Sequence, residues 1–291
     1  MITKMFERLG KNIDRSFPMF KYLVLQTETH AFCGSLAFFA LLAFYPFSVL
    51  LLSLTKYGGR WDSAYAVILY ALWAYYPTAQ ECLVRNLEVS VGQYGRQVQF
   101  HSAVWVLLGA AGFFIPLESA FNRLWKFPQD RAYWKNQAVG LLLTTACCGL
   151  AVLFVLLTTL FHSAISRMVA WEMGSSVLRY LALKVSAILF SLASIFLFYK
   201  VLPNGKVRTR DALPAAVLAG VLAEVVRWLY MLLLPFLQIQ KAQGPYYVSI
   251  SFALLAYFQA FVLLGGAFVA TGTRKHPRLV LLGISGIKTQ E

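Results

Sequence analysis

The residues best placed to do chemistry are an acid and a base inside an apolar stretch. Glu224 and Arg227 are the charged residues of the run from Ala212 to Pro235. Three residues apart on a helix, they share a face and can form an ion pair. An ionisable group inside a membrane helix is costly and by default marks a pathway or a binding site. Two interpretations stay open: a structural ion pair of a helix bundle, or a group that handles a substrate or a proton.

A second polar group stands where another apolar run ends. Glu118 and Asn122 are four residues apart, hence on one helical face, and Arg123 follows. They can form a polar gate or, equally, a hydrogen-bonded helix end. Lys184 lies near the start of a further apolar run, where it could add positive charge or extend to the membrane interface. The candidate residues of a substrate pathway are Glu224, Arg227, Glu118, Asn122, Arg123 and Lys184.

Catalytic and metal-binding patterns are missing from the sequence. It has no G-x-S-x-G, no H-E-x-x-H and no Walker-type glycine loop. The four cysteines show neither the spacing of a zinc site nor that of a disulfide framework. We therefore expect a protein that is not an enzyme, with no catalytic residue, no metal ion and no cofactor.

The composition indicates which elements hold these residues. Hydrophobic residues make up 59 % of the chain and charged residues 13 %, against about a quarter charged in soluble domains. So few charges cannot cover a soluble surface of this size, which indicates a membrane protein. Lipid admits only helices or closed barrels, and barrel strands do not run uncharged for 20 residues. We predict an all-α polytopic membrane protein.

Six runs reach the roughly 20 residues that a helix needs to cross a bilayer. The predicted spans are residues 31–55, 97–117, 136–163, 180–200, 212–235 and 246–272. They form one membrane domain, residues 31–273, between an N-terminal segment, 1–30, and a tail, 274–291. The apolar segment 63–76 is shorter, which favours a re-entrant or interfacial helix, and short helices are expected elsewhere in that outer loop.

The basic residues predict the orientation. The formal net charge is +14, which on a soluble protein would suggest nucleic acid. With six spans and the N-terminus inside, most Lys and Arg residues fall in the cytoplasmic segments, as the positive-inside rule requires. Counting 63–76 as a seventh span would reverse this. We therefore predict a multi-pass membrane protein with both termini in the cytoplasm, and no nucleic-acid partner.

The N-terminal segment carries an amphipathic pattern. Ile2, Phe6, Leu9 and Ile13 recur at helical spacing, with basic residues between them. This predicts an interfacial helix attracted by anionic lipid, or a packed helix of a small cytoplasmic cap.

Five motifs together resemble a known family. They are Gly34–Pro46, Leu117–Trp125, Leu202–Asp211, Leu222–Glu224 and Leu263–Gly266. In order and spacing they resemble the YihY / virulence factor BrkB family of bacterial inner-membrane proteins, over about residues 25–272. The resemblance implies six membrane helices and a link to export of lipid or envelope precursors. It implies no nuclease, since the family's former label ribonuclease BN is regarded as mistaken.

The resemblance also implies roles for single residues. Glu118 and Asn122 match the acid and amide of the second-span motif, and Glu224 matches the acid of the fifth span. The structural positions of the motifs are Pro46, Trp125, Pro203, Asp211 and Gly265. The chain departs from the family where similar proteins carry Gly-Ala-Glu in the sixth span, because Gly265 is followed here by Gly-Ala without the acid.

These observations lead to a functional expectation. We expect a transporter or flippase-like exporter of an anionic or lipid-like envelope molecule. The alternative is a non-transporting scaffold that organises envelope proteins or lipids. The expected partners are anionic membrane lipids and a small or lipid-like substrate of unknown identity, with a homo-oligomer as a further option.

Overall fold

Six long helices make up the protein. The computed structural model describes residues 27–58, 65–66, 68–69, 85–87, 89–90, 95–127, 131–168, 172–238 and 246–275. In that part of the chain the regular structure is entirely helical, which confirms the all-α prediction. The long helices are α1 Thr27–Gly58, α2 Gly95–Trp125, α3 Tyr133–Met168, α4 Glu172–Val201, α5 Thr209–Leu237 and α6 Tyr247–Lys275.

Each helix is long and apolar enough to cross a membrane, so the prediction of six spans is confirmed. Even the shortest, α5 and α6, have 29 residues. At 1.5 Å per residue that is about 43 Å, more than the roughly 30 Å of hydrocarbon in a bilayer. The fourth helix begins at Glu172, well before the predicted start of the fourth span at residue 180.

The main cluster of buried residues in the described part of the chain includes the ends of α2 and α4 and the start of α5. Tyr199 of α4 is fully buried, and its hydroxyl donates to the carbonyl of Leu263 in α6, 2.7 Å away. Gly266 allows this approach: a Cβ there would lie 2.3 Å from the Tyr199 hydroxyl and 2.7 Å from Ala219 Cβ. Small residues at such positions let membrane helices pack closely.

The segment between α1 and α2 is described at a few helical positions only. Of the predicted re-entrant segment 63–76, residues Tyr65, Ala66, Ile68 and Leu69 are described, and all four are helical. Ile68 is buried in a small cluster with Leu52 of α1 and Val155 of α3. The amphipathic N-terminal segment and the tail after Lys275 lie outside the described residues, so those expectations stay predictions.

Candidate functional site

The acid and base that interrupt the fifth span lie in the middle of α5. Glu224 is adjacent to the midpoint of the helix Thr209–Leu237. One Nη atom of Arg227 donates to Oε2 of Glu224, so the spacing of three residues does produce an ion pair. The Arg227 side chain is 7 % exposed and that of Glu224 23 %. We call these two residues the mid-span pair.

Two neighbouring cavities meet at the mid-span pair. The first has a volume of about 590 Å³ and is lined by residues from all six helices, including Arg227. The second has a volume of about 390 Å³ and is lined by both Glu224 and Arg227. Ile68 of the segment between α1 and α2 also lines the second cavity. The buried guanidinium group therefore borders two spaces at once.

The walls of both cavities are mainly apolar and aromatic, with few polar groups. Gln259 of α6 borders both, and its side-chain amide donates to the carbonyl of Ala223, 2.9 Å away. Ser191 and Ser194 of α4 line the first cavity. The sequence search followed ionisable groups and missed Gln259. An amide in the middle of an otherwise apolar run was the signal that could have found it.

Lys184 lies beside the mid-span pair. Its ammonium nitrogen is 5.4 Å from the ring centroid of Trp228, and Cζ of Arg227 is 5.7 Å from the same centroid. Both distances suit cation–π contacts. The ammonium group also interacts electrostatically with Arg227 and Glu224. Since α4 begins at Glu172, Lys184 lies well inside its helix and next to the fifth helix.

The second predicted polar group occupies a different place, the tightly packed end of the bundle. Arg131 lies 3.8 Å from the carboxylate of Glu118, which is buried. Its guanidinium group donates to the carbonyls of Val201, Leu202 and Pro203, at 3.3, 3.0 and 3.1 Å. The last carbonyls of a helix have no partner within that helix. Arg131 supplies the donors for them at the end of α4.

Asn122 completes this arrangement. Its side-chain oxygen accepts a hydrogen bond from the backbone N–H of Asn204, 2.9 Å away, and its amide nitrogen lies 3.5 Å from Glu118 Oε1. We call Glu118, Asn122, Arg131 and residues 201–204 the junction. Its geometry is that of a hydrogen-bonded helix end. Neither Glu118 nor Asn122 lines the two cavities.

The other predicted motif residues are spread over the fold. Trp125 is buried at the junction end, edge-on to Tyr199 with ring centroids 6.2 Å apart. Arg123 is exposed and forms an ion pair with Glu28 of α1, which is exposed too. The remaining positions are Pro46 inside α1, Pro203 beyond α4, Asp211 in the first turn of α5 and Gly265, buried in α6.

The fold and the mid-span pair define a polytopic α-helical membrane protein with a charged group at the centre of its bundle. The chain belongs to the virulence factor BrkB family, whose sequence model matches residues 24–279. The match confirms the resemblance drawn from the five motifs.

The names of the curated relatives describe them as membrane proteins. A "UPF0761 membrane protein" of Pseudomonas aeruginosa is 27 % identical over 226 residues, which cover 72 % of this chain and 52 % of that protein. Another, of Stenotrophomonas maltophilia, is 29 % identical over 119 residues, 38 % of this chain and 26 % of that protein. The matches thus span between a quarter and about half of the length of these relatives. No solved structure matches the chain.

Proposed function

We propose that this protein is a transporter or flippase-like exporter of an anionic, lipid-like envelope molecule in a bacterial inner membrane. The observation that carries the proposal is the buried guanidinium group of Arg227 on the border of two cavities. A guanidinium group binds phosphate or carboxylate through two parallel hydrogen bonds. Arg227 is thus suited to receive an anionic group inside the bundle.

The walls of the cavities support an amphipathic ligand. Apolar and aromatic side chains suit a hydrocarbon chain, while Arg227, Gln259 and Ser194 suit a polar head. The buried hydroxyl of Ser194 has no hydrogen-bond partner among the described residues, so a ligand could supply one. Glu224 pairs with Arg227 and so lowers the cost of a charge at this depth.

The proposed orientation places both termini and the junction in the cytoplasm. Exposed basic residues cluster at that end of the bundle, among them Lys126, Lys206 and Arg208. Each basic residue near an anionic membrane surface contributes about 1 kcal/mol of attraction. Such a surface would gather anionic lipid next to the bundle.

Lipid transfer in vesicles tests the proposal. The purified protein is reconstituted into phosphatidylcholine vesicles that contain a trace of tail-labelled fluorescent phosphatidylglycerol, with and without a proton gradient. A membrane-impermeant reductant then bleaches the label of the outer leaflet. We expect wild-type protein to make the inner-leaflet label accessible. Arg227→Gln should slow transfer at least about tenfold, the equivalent of one lost charge-assisted hydrogen bond.

The matched control is Arg210→Gln, which removes an exposed arginine from the first turn of the same helix. It should slow transfer far less than Arg227→Gln does, because it removes one exposed charge at the membrane surface and leaves the charge at mid-span in place. Wild-type vesicles that bleach no faster than protein-free vesicles, under both conditions, would overturn the transport proposal and support the scaffold.

A further inference from the structure

A further cavity lies between the first two helices, in the half of α2 that is remote from the junction. It has a volume of about 420 Å³ and is lined by residues of α1, of α2 and of the segment between them. That volume falls in the range of about 300–1,000 Å³ that is usual for small-molecule sites. We call this cavity the α1–α2 pocket. Its polar and aromatic side chains are those of Tyr45, Ser90, Gln97, His101, Ser102 and Trp105.

The α1–α2 pocket crosses the boundary between headgroups and hydrocarbon. The 31 residues of α2 measure about 46 Å, so a centred helix extends about 8 Å beyond each side of a 30 Å hydrocarbon layer. Gln97, His101 and Trp105 follow the first residue, Gly95, by about 3, 9 and 15 Å along the helix. Gln97 thus lies at headgroup depth, His101 at the boundary and Trp105 within the hydrocarbon.

Hydrogen bonds orient the polar groups of the α1–α2 pocket. The hydroxyl of Tyr45 donates to the carbonyl of Asn86, 3.1 Å away, and forms a second hydrogen bond of 2.8 Å with the hydroxyl of Ser90. Nδ1 of His101 donates to the carbonyl of Gln97, 2.8 Å away. In the neutral ring, Nε2 is then an acceptor. The pocket therefore combines an imidazole acceptor with hydroxyl and amide groups that donate and accept.

An apolar cavity adjoins the α1–α2 pocket. It has a volume of about 390 Å³ and shares Leu42 and Tyr45 with the pocket. Phe38, on the same face of α1, also lines it and is 59 % exposed, so this space is open to the acyl chains of the bilayer. A ligand with its head in the pocket can therefore place a hydrocarbon chain here. The remaining lining residues are Leu41, Phe44, Val248, Ser249 and Phe252.

We propose that the α1–α2 pocket binds the polyhydroxyl headgroup of a membrane glycolipid, whose hydrocarbon chain lies in the adjoining apolar cavity. Sugar hydroxyls both donate and accept hydrogen bonds, as the hydroxyl and amide groups of the pocket do. The apolar C–H face of a sugar ring packs on the indole ring of Trp105, which has an apolar face and a polar N–H.

The acceptor of His101 favours a sugar over a phosphate. A sugar hydroxyl can donate to Nε2, whereas the oxygens of a phosphodiester only accept. The site is also separate from the mid-span pair, because neither Glu224 nor Arg227 lines the α1–α2 pocket or the adjoining cavity. The inference thus goes beyond the proposed function and does not require the protein to transport lipid.

Native mass spectrometry of the whole protein in nanodiscs tests the inference. The nanodiscs consist of phosphatidylcholine with equal small amounts of monogalactosyldiacylglycerol and diacylglycerol, which differ by the sugar. We expect wild type to retain the galactolipid in preference to diacylglycerol. His101→Phe should lower this preference about threefold or more, the equivalent of one lost hydrogen bond. Trp105→Leu should lower it too, because the indole surface is lost.

The matched control is His30→Phe, the same substitution in the first turns of α1, at a residue that lines neither cavity. It should keep the wild-type preference. Equal preference in His101→Phe and His30→Phe would overturn the inference, as would equal retention of the two lipids by wild type. A final arm adds methyl β-galactoside. Bound galactolipid that stays in place supports a lipid ligand, whereas its displacement would overturn that choice in favour of a soluble sugar.

Discussion

Two of the carboxylate–guanidinium pairs in the described part of the chain involve a buried residue, and their surroundings differ. At the junction, Arg131 faces Glu118 and also donates to three backbone carbonyls at the end of α4. At mid-span, Arg227 pairs with Glu224 on its own helix and borders two cavities. The first guanidinium group is committed to protein acceptors, whereas the second faces space that a ligand can enter.

The different surroundings of these two pairs show that residue type alone does not identify a binding site in a membrane bundle. Both pairs place an acid and a base inside the protein, and the acid of each, Glu118 or Glu224, belongs to a motif that resembles the family. What separates them is whether the surroundings are closed by backbone or open to a cavity. We therefore propose that the junction serves stability and the mid-span pair serves ligand binding, and the following changes test that division.

The largest expected effect on stability is that of Arg131→Ala. The change removes the cation next to the buried Glu118 and the donors that Arg131 gives to the carbonyls at the end of α4. Breaking a buried pair by removing one partner costs about 3–5 kcal/mol. We expect a large drop in melting temperature in a thermal ramp of the detergent-solubilised protein.

Arg123→Ala is the control for that experiment, because its ion pair with Glu28 is exposed and should contribute at most about 1 kcal/mol. If the two variants have equal melting temperatures, Arg131 contributes no more stability than an exposed ion pair does. That result would contradict the structural role of the junction.

A smaller effect is expected for Gly266→Ala. The added Cβ would meet the Tyr199 hydroxyl and Ala219, and overpacking of this kind costs about 1–3 kcal/mol. Gly34→Ala is the matched change, because among the described residues no atom beyond the nearby backbone of α1 lies within 4 Å of a Cβ at that position. Alanine should there be neutral or stabilising, as it is in most helices. A melting temperature that falls equally in both variants would contradict tight packing at this end.

The smallest effects are expected from two substitutions of amide side chains, one at the junction and one at the cavities. The first should change stability and the second lipid transfer. Asn122→Ala removes the acceptor for the Asn204 N–H and should cost about 1 kcal/mol of stability while lipid transfer is unchanged. Gln259→Leu removes a polar group from both cavities and should slow lipid transfer several-fold. Melting curves and the vesicle assay on both variants check these two predictions. Slower transfer in Asn122→Ala together with lower stability but normal transfer in Gln259→Leu would refute the division between the junction and the mid-span pair.

The sequence predicted those features that depend on local composition or helical spacing. Six spans follow from the length of uncharged runs, and the contact between Glu224 and Arg227 follows from their separation of three residues. Arg131 was counted only as a basic residue of a cytoplasmic loop. Its acceptor Leu202 lies 71 residues further along the chain, so that contact depends on how the helices pack.

The same reason explains what was missed near the mid-span pair. Lys184 stands at the start of the apolar part of α4, as the sequence indicates, but the sequence does not give its neighbour on α5. Its contact with Trp228 joins two different helices, as does the bond from Gln259 to Ala223. Cavities, likewise, are spaces between helices and leave no pattern in a single segment.

The most direct test of the central claim is native mass spectrometry of protein purified from bacterial membranes without added lipid. Wild type is compared with Arg227→Gln and with Arg210→Gln, which removes an arginine at the start of the same helix. Our account predicts a discrete anionic lipid mass on wild type and on Arg210→Gln, and its loss from Arg227→Gln. The same adduct on all three proteins, or none on wild type, would contradict a ligand site at the mid-span pair.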